Sequence, residues 1–247
     1  MSDILDRIVA RTRARLLPAD PPHAFAAAIS RPGINVIAEI KSASPSVGMI
    51  IENPDVETIA ADYRRGGAAA ISIVTEPEFF HGSTSWIARA KASAGLPAIM
   101  KDFIIDERQL LHGIAAGANA ILLLASLHDA KQIRAFIALL DQFGCDALVE
   151  VHDEAELERA IDGGAKLIGV NNRNLRDFSV DLATSERLSR LMPAGTIKVA
   201  ESGIRIRQDV DRLRNAGFHA FLVGESLLRQ ADRAEAVKAL IDSEVSS

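Results

Sequence analysis

A closed parallel (β/α)8 barrel is the fold class that this 247-residue sequence predicts. First, a glycine precedes each of eight apolar runs. Second, after the first interval these glycines lie about 20 to 31 residues apart, the length of one strand, one helix and two short loops. Third, the segments between the runs carry apolar residues at three- and four-residue intervals, as amphipathic helices do. The glycines are Gly33, Gly67, Gly95, Gly117, Gly144, Gly164, Gly195 and Gly217.

Each repeat reads as a helix, a glycine and a strand. Glycine suits the left-handed conformation just past a helix end, and the aliphatic runs that follow are typical of buried parallel strands. Helical candidates lie at 56–65, 106–116, 130–143 and 153–161. Because no linker interrupts the repeats, we expect the sheet to close, with an open doubly wound sheet as the alternative. The predicted strands are 34–41, 69–75, 97–102, 120–125, 146–151, 167–171, 197–201 and 220–224.

The chain is expected to form one domain, residues 1–247, with residues 1–32 as a helical N-terminal extension of the barrel. Four apolar positions in the extension fit one face of a helix packed on the barrel. They are Ile4, Leu5, Ile8 and Val9.

Composition excludes several classes of function. The net charge of −5 gives no overall attraction to nucleic acid or to an anionic membrane. The single Cys145 rules out an internal disulfide framework, and no apolar stretch approaches the roughly 20 residues that span a bilayer. Asp3 and Asp6 argue against a secretory signal. We therefore expect a cytoplasmic protein that binds neither nucleic acid nor membrane.

Charged residues recur where the predicted strands end, which is where a barrel of this kind carries its active site. Glu39 and Lys41 project to the same side of strand one and into the mouth. Taken alone, this pair fits a structural ion pair above the core. However, Lys101, Glu150 and Glu201 occupy comparable positions on three other strands. Five charges in one confined mouth favour a catalytic site, because such residues are rarely buried.

The last two strands end in "AESGI" and "VGESLL", which bring Gly203 and Gly224 to neighbouring strand-to-helix turns. Either glycine alone fits an ordinary turn. Together they predict a phosphate site, because backbone N–H groups and a helix N-terminus at this position of the barrel bind phosphate.

Other reactive residue types give weaker signals. No metal is predicted, because the histidines lack metal-ligand spacing and are interpreted as surface or structural residues. Cys145, at the start of strand five, is interpreted as a small core residue. Phe79 and Phe80 fit either the core or a cover over an aromatic ligand. The histidines are His23, His81, His112, His128, His152 and His219.

Eight motifs, in order over roughly residues 34 to 230, resemble the indole-3-glycerol-phosphate synthase family. The segments "IAEIKSASPS" and "KDFIID" carry the most specific part of the resemblance. The others are "SIVTEPEFFHGS", "LLLASL", "ALVEVHDEAELERA", "GVNNRNL", "VAESGI" and "LVGESLL". The leading "ILDRIVARTRARL" also resembles the family's N-terminal extension.

The resemblance implies a phosphate-binding (β/α)8 barrel of tryptophan biosynthesis that uses no cofactor. The implied reaction converts 1-(2-carboxyphenylamino)-1-deoxyribulose 5-phosphate to indole-3-glycerol phosphate, carbon dioxide and water. The implied catalytic residues are Glu39, Lys41, Lys101, Glu150, Asn171, Glu201 and Ser202. Substrate contacts fall on Ser44, Phe80 and Arg173, and phosphate contacts on Ser202, Gly203, Gly224 and Glu225.

Two positions depart from the family pattern. Glu225 stands where some relatives have serine, so its carboxylate would have to turn away from a phosphate. Asn174 stands where aspartate is frequent, so Arg173 is expected to lack a charge partner.

The implied chemistry assigns roles to the ionisable residues. We expect Lys101 to protonate the oxygen on which charge develops, and Lys41 to hold the substrate carboxylate or serve as the alternative acid. Glu150 is the expected base of the dehydration. The formal charges of the three cations and three carboxylates in the mouth sum to zero. Backbone amides and a helix N-terminus would therefore supply the additional attraction for an anionic substrate. The cations are Lys41, Lys101 and Arg173, and the carboxylates are Glu39, Glu150 and Glu201.

Two alternatives remain at this stage. One is phosphoribosylanthranilate isomerase or another ribulose-phosphate barrel, which would share the phosphate loops but not the charged mouth. The other is a catalytically silent barrel that binds a phosphorylated ligand or serves in an assembly. We expect a monomer, with association with other tryptophan-pathway enzymes left open.

Overall fold

The computed structural model of the protein describes Ile4, residues 20–174 and residues 177–242. In the described residues, eight parallel strands pair in chain order, and the first pairs with the last to close a barrel. The predicted barrel is confirmed and the open sheet is wrong. The strands are β1 (Asn35–Ile40), β2 (Ala70–Val74), β3 (Ala98–Lys101), β4 (Ala120–Leu124), β5 (Asp146–Val151), β6 (Leu167–Asn171), β7 (Ile197–Glu201) and β8 (Ala220–Val223).

Helices separate the strands and cover the outside of the barrel. Five of them have an aspartate as the N-cap residue, and its carboxylate accepts a backbone N–H of the first turn. The eight glycines of the sequence pattern all have positive φ, as predicted for helix ends and turns. The helices are α1 (Ala24–Ile29), α2 (Val56–Arg65), α3 (Ser85–Ala94), α4 (Glu107–Ala115), α5 (Ala130–Asp141), α6 (Glu154–Asp162), α7 (Ala183–Ser189), α8 (Arg207–Asn215), α9 (Glu225–Leu228) and α10 (Arg233–Ile241).

The loop after β1 contains a short hairpin that the sequence pattern did not predict. Ala43–Ser44 pairs antiparallel with Gly48–Met49. Neither strand has the apolar alternation that marks a strand in sequence, so backbone pairing alone defines them. The hairpin lies beside the barrel mouth.

Side chains that point into the barrel form layers contributed by alternate strands. Ile37, Ile99, Leu148 and Val199, from the four odd-numbered strands, are buried in one inner cluster. Residues two apart on a strand face the same side, so the next inward position lies nearer the carboxyl end. On these strands that position is charged. We call the four residues the charged layer: Glu39, Lys101, Glu150 and Glu201.

The opposite end of the barrel is closed by α1. Phe25 and Ile29 are fully buried in the same inner cluster. Asp146, the first residue of β5, fixes the start of this helix because its carboxylate accepts the backbone N–H of Ala26 and contacts His23 Nδ1, both at 2.9 Å. Part of the predicted extension therefore fills the bottom of the barrel.

The rest of the predicted extension is described only at one residue. Ile4 is helical and 63% exposed, so its side chain does not pack on the barrel as expected. Leu5, Ile8 and Val9 lie outside the described residues. Over the described part of the chain, every helix is too short or too polar to cross a bilayer.

Replacing Phe25 by alanine should lower the free energy of unfolding by about 3–5 kcal/mol, because it removes a buried ring and leaves a cavity. The measurement is urea denaturation followed by circular dichroism. Phe143→Ala is the control, since Phe143 is 37% exposed and its loss should cost clearly less. Equal losses at the two positions would contradict the plugging role of α1.

Candidate active site

A cavity of about 680 Å³ opens at the carboxyl ends of the strands. All of the site residues predicted from the sequence line it. Closure of the barrel thus brings together positions as far apart in sequence as Glu39 and Glu225. The predicted residues in the cavity wall are Glu39, Lys41, Ser44, Phe80, Lys101, Glu150, Asn171, Arg173, Glu201, Ser202, Gly203, Gly224 and Glu225.

Lys101 lies at the centre of the charged layer. Its Nζ donates to Glu150 Oε2 at 3.1 Å and contacts Glu201 Oε2. Burial opposes the charged form of Lys101, but the carboxylates of Glu201 and Glu150 outweigh burial and raise the pKa of the amine. Lys101 is therefore held protonated inside the barrel mouth.

Glu39 and Lys41 form the ion pair that alternation on β1 predicted. Lys41 Nζ donates to Glu39 Oε1 at 2.7 Å, and Ser72 Oγ donates to Glu39 Oε2 at 3.1 Å. Burial of Glu39 would raise its pKa, yet Lys41 and Lys101 outweigh burial and lower it. Both members of the pair line the cavity, so the pair is part of the site and not only a structural feature.

Glu150 is the second ionised carboxylate of the charged layer. Its Oε1 accepts from Asn171 Nδ2 at 2.9 Å, and Asn171 Oδ1 accepts the backbone N–H of Arg173 at 3.0 Å. Burial alone would raise the pKa of Glu150, but Lys101, His152 and the Asn171 amide lower it. Glu150 is therefore available as a base.

Glu201 differs from the other two carboxylates. Burial raises its pKa to about 8; Lys101 opposes this shift and the Glu150 carboxylate adds to it. Its Oε1 is buried with no hydrogen-bond partner among the described residues. Glu201 is thus the weakest acid of the three carboxyl groups in the charged layer.

Room for the Glu201 side chain depends on a glycine of the neighbouring strand. A Cβ built on Gly169 would lie 2.2 Å from Glu201 Oε1. The sequence pattern gave no signal for this requirement, because Gly169 lies inside an apolar run and Glu201 lies 32 residues later in the chain.

The predicted phosphate residues form one end of the cavity. Ser202 and Gly203 have φ of +64° and +80°, and Asn172 Nδ2 holds the turn by donating to Ser202 O at 3.2 Å. Glu225 begins α9, and its Oε1 accepts from Arg229 Nε at 3.0 Å. Arg229 thus provides a cationic partner that could hold the Glu225 carboxylate away from a bound phosphate.

The other end of the cavity is more apolar. Phe80 packs near Phe103, with ring centroids 6.1 Å apart, and Phe80 O accepts the backbone N–H of Ala43 at 3.2 Å. Phe79 also lines the cavity but is 68% exposed, so it does not belong to the core. Arg173 also lines the cavity, and its Nη1 lies 3.5 Å from Phe178 O.

The structure supports the structural interpretation of Cys145 but not that of His152. Cys145 is buried, and burial raises the pKa of its thiol to about 12, which agrees with a core role. His152, in contrast, was interpreted as a surface or structural residue, yet its Nε2 lies 3.4 Å from Glu150 Oε1. The only available signal was that His152 follows Glu150 by two residues.

Comparison with known proteins decides the family. A family model described as indole-3-glycerol phosphate synthase matches residues 7–240. The chain belongs to the indole-3-glycerol phosphate synthase family. A relative of that name from Desulfotalea psychrophila is 42% identical, covering 97% of this chain and 99% of that protein. Another from Ruminiclostridium cellulolyticum is 41% identical, covering 93% and 95% respectively.

Solved structures show the same fold in more distant proteins. Thiamine phosphate pyrophosphorylase from Pyrococcus furiosus superposes with a TM-score of 0.61 at 15% identity, covering 86% of this chain and 95% of that one. N-acetylmannosamine-6-phosphate 2-epimerase from Clostridium perfringens gives a TM-score of 0.61 at 15% identity, covering 80% and 88%. At this identity the likeness concerns the barrel alone.

Family membership confirms the activity expected from the motifs. The enzyme is a carboxy-lyase of tryptophan biosynthesis that acts on a phosphorylated small molecule. The indole-3-glycerol phosphate synthase assignment decides against the isomerase and against a catalytically silent barrel.

Replacing Gly169 by alanine should displace the Glu201 carboxylate and with it the Lys101 contact. We expect kcat of the synthase to fall by about 10²-fold, as misplacement of catalytic groups does, while the barrel still folds. Val170→Ala is the control, because Val170 belongs to the outer core and should cost about 0.5–3 kcal/mol of stability with little change in kcat. Steady-state kinetics and thermal unfolding of both variants provide the comparison. A full kcat in the Gly169 variant would contradict the proposed contact.

Proposed function

We propose that the charged layer and its neighbours are the catalytic site that converts 1-(2-carboxyphenylamino)-1-deoxyribulose 5-phosphate to indole-3-glycerol phosphate. The observation that carries the proposal is the position of Lys101. Its protonated amine lies between two buried carboxylates, in a cavity with a second lysine and a turn suited to phosphate. Such a site has an acid and a base within reach of one bound molecule.

The cavity offers separate partners for the two anionic groups of the substrate. Backbone N–H groups at Ser202, Gly203, Gly224 and Glu225 would bind the phosphate at the turn after β7 and at the start of α9. Lys41 would bind the carboxylate.

The aromatic ring of the substrate would lie against the apolar wall. Phe80 would support the ring, and Ser44 and Arg173 would contact other parts of the substrate from the cavity wall. Holding the ring and the phosphate at opposite ends brings the ring carbon that bears the carboxylate close to the sugar carbonyl. Positioning of this kind replaces a search through many conformations of the free substrate.

Ring closure is the first chemical step. The ring carbon attacks the carbonyl carbon, and the carbonyl oxygen gains negative charge as the new carbon–carbon bond forms. Lys101 would stabilise this oxygen and transfer a proton to it. The raised pKa of Lys101 does not prevent transfer, because an alkoxide is more basic than a lysine amine. The carboxylate then leaves as carbon dioxide, and its electron pair restores the aromatic ring.

Dehydration completes the indole. Glu150, whose pKa is lowered, would act as the base and remove a proton near the substrate nitrogen. A lysine or Glu201 would protonate the hydroxyl, which then leaves as water. Asn171 would hold Glu150 in the required orientation, and Glu39 would orient Lys41. Ser202 would contact both the hydroxyls and the phosphate.

We further propose that the synthase acts in the cytoplasm as a monomer built from one domain, residues 1–247. The net charge of −5, the single cysteine and the uninterrupted run of βα units support this proposal. Association with other enzymes of tryptophan biosynthesis is a separate question that size measurements on mixtures would address.

Lys101→Met should abolish most of the activity. The change keeps the length of the side chain but removes the ammonium that contacts both Glu150 and Glu201, so kcat should fall by about 10²–10⁴-fold. The assay follows indole fluorescence after addition of the carboxyphenylamino ribulose phosphate. Lys198→Met is the matched control, because the Lys198 amine bonds to Ser189 outside the cavity. Lack of product from the intact protein would refute the proposed function.

Gly203→Ala should raise KM about tenfold or more and change kcat less, because a Cβ there would lie 2.6 Å from Val180 Cγ1 and shift the phosphate turn. Gly195→Ala is the matched control. Gly195 has φ +85°, close to the +80° of Gly203, but a Cβ there meets nothing within 4 Å. Inorganic phosphate should inhibit the intact enzyme competitively and the Gly203 variant more weakly. The same KM in both variants would remove the phosphate assignment.

A further inference from the structure

His152 directly follows β5 and comes two residues after Glu150. Its side chain is 15% exposed, and it does not line the cavity. Its Nδ1 lies 3.0 Å from Glu156 Oε2, and the same oxygen accepts the backbone N–H of His152 at 2.8 Å. Glu156 therefore fixes both the backbone and the ring of His152.

The other ring nitrogen of His152 is directed at the catalytic carboxylate. Nε2 lies 3.4 Å from Glu150 Oε1, is buried, and makes no hydrogen bond with the described residues. A neutral ring with a bare Nε2 would turn a lone pair towards a carboxylate. A charged ring instead turns an N–H towards it, which a small movement converts into a hydrogen bond.

The charges around the ring favour the imidazolium form. Three carboxylates face it: Glu150 on β5, Glu156 on α6 and Glu201 on β7. The nearby cations lie beyond these carboxylates, since Lys101 bonds to Glu150 Oε2 and Arg159 lies 4.0 Å from Glu156 Oε1. Burial lowers the pKa of His152, but Glu156 and Glu150 outweigh burial and raise it.

We propose that His152 is a positioning residue of the synthase: a buried imidazolium, held by Glu156, that orients Glu150 and keeps it ionised as the base. The inference rests on the proposed role of Glu150. The arrangement follows the general pattern in which a third group orients the base of a catalytic pair. Asn171 and Lys101, which line the cavity, donate to Glu150, and His152 approaches Glu150 Oε1 from outside the cavity lining.

The proposal has a definite consequence for the pH profile. The pKa of Glu150 is lowered and that of His152 is raised, so His152 is charged throughout the range in which Glu150 titrates. Removing that charge must raise the pKa of Glu150. The loss of activity on the acid side of the kcat profile should then begin at a higher pH.

The test is His152→Gln, which removes the charge but keeps a polar side chain. We expect the acid limb of the kcat profile to move up by about 1 pH unit, since opposite charges at this distance shift a pKa by about 1–3 units. KM should stay within about twofold, because His152 does not touch the cavity. Glu156→Gln should shift the limb in the same direction by less, because it weakens the charged form of His152.

His128→Gln is the matched control. His128 is also buried, but its ring contacts Ile104 O and Gln132 and no carboxylate. A purely structural role of His152 predicts that His152→Gln and His128→Gln both lower the unfolding temperature without moving the acid limb. If the His152 variant does not fold, the Glu156 variant decides.

The outcomes separate the two proposals. An unmoved acid limb in both the His152 and Glu156 variants, with full turnover by the intact enzyme, would overturn the role of His152 and leave the function standing. An intact enzyme without turnover would overturn the proposed function and this inference together. A shifted limb with unchanged KM supports the positioning role.

Discussion

The contact of the Lys101 ammonium with Glu150 and Glu201 is the interaction on which the rest of the site depends. These three residues come from β3, β5 and β7, which are not neighbours in the sheet. Only closure of the barrel brings their side chains to one layer. Burying three ionisable groups is costly unless they are paired, so the same contact that serves catalysis also makes the charged layer tolerable above an apolar core.

The three carboxyl groups of the charged layer have different pKa values because their surroundings differ. Glu39 bonds to Lys41, and Glu150 bonds to Lys101 and Asn171, so both have a lowered pKa. Burial raises the pKa of Glu201, and the nearby Glu150 carboxylate adds to this shift, because the two carboxylates share Lys101 and it does not offset burial at Glu201. Carboxylates whose pKa values are pushed apart in this way provide a base and a proton donor in one site.

Stability and catalysis occupy opposite ends of the same barrel. Phe25 and Ile29 of α1 fill the bottom, and Asp146 ties this helix to the start of β5. The other end of β5 carries Glu150. A single strand thus links α1 to the proposed base Glu150, with the inner residue Leu148 between them.

The sequence by itself determined the barrel, the strand boundaries to within about one residue, and thirteen of the residues that line the cavity. It did so because side-chain alternation and helix-ending glycines are local, and because the motifs resemble a known family. Only the tertiary structure decided the raised pKa of Glu201, the space left by Gly169, the pairing of Glu225 with Arg229 and the approach of His152 to Glu150. These features depend on burial and on distances between side chains of different elements. A local sequence pattern contains neither quantity, because both are set only when the elements pack together.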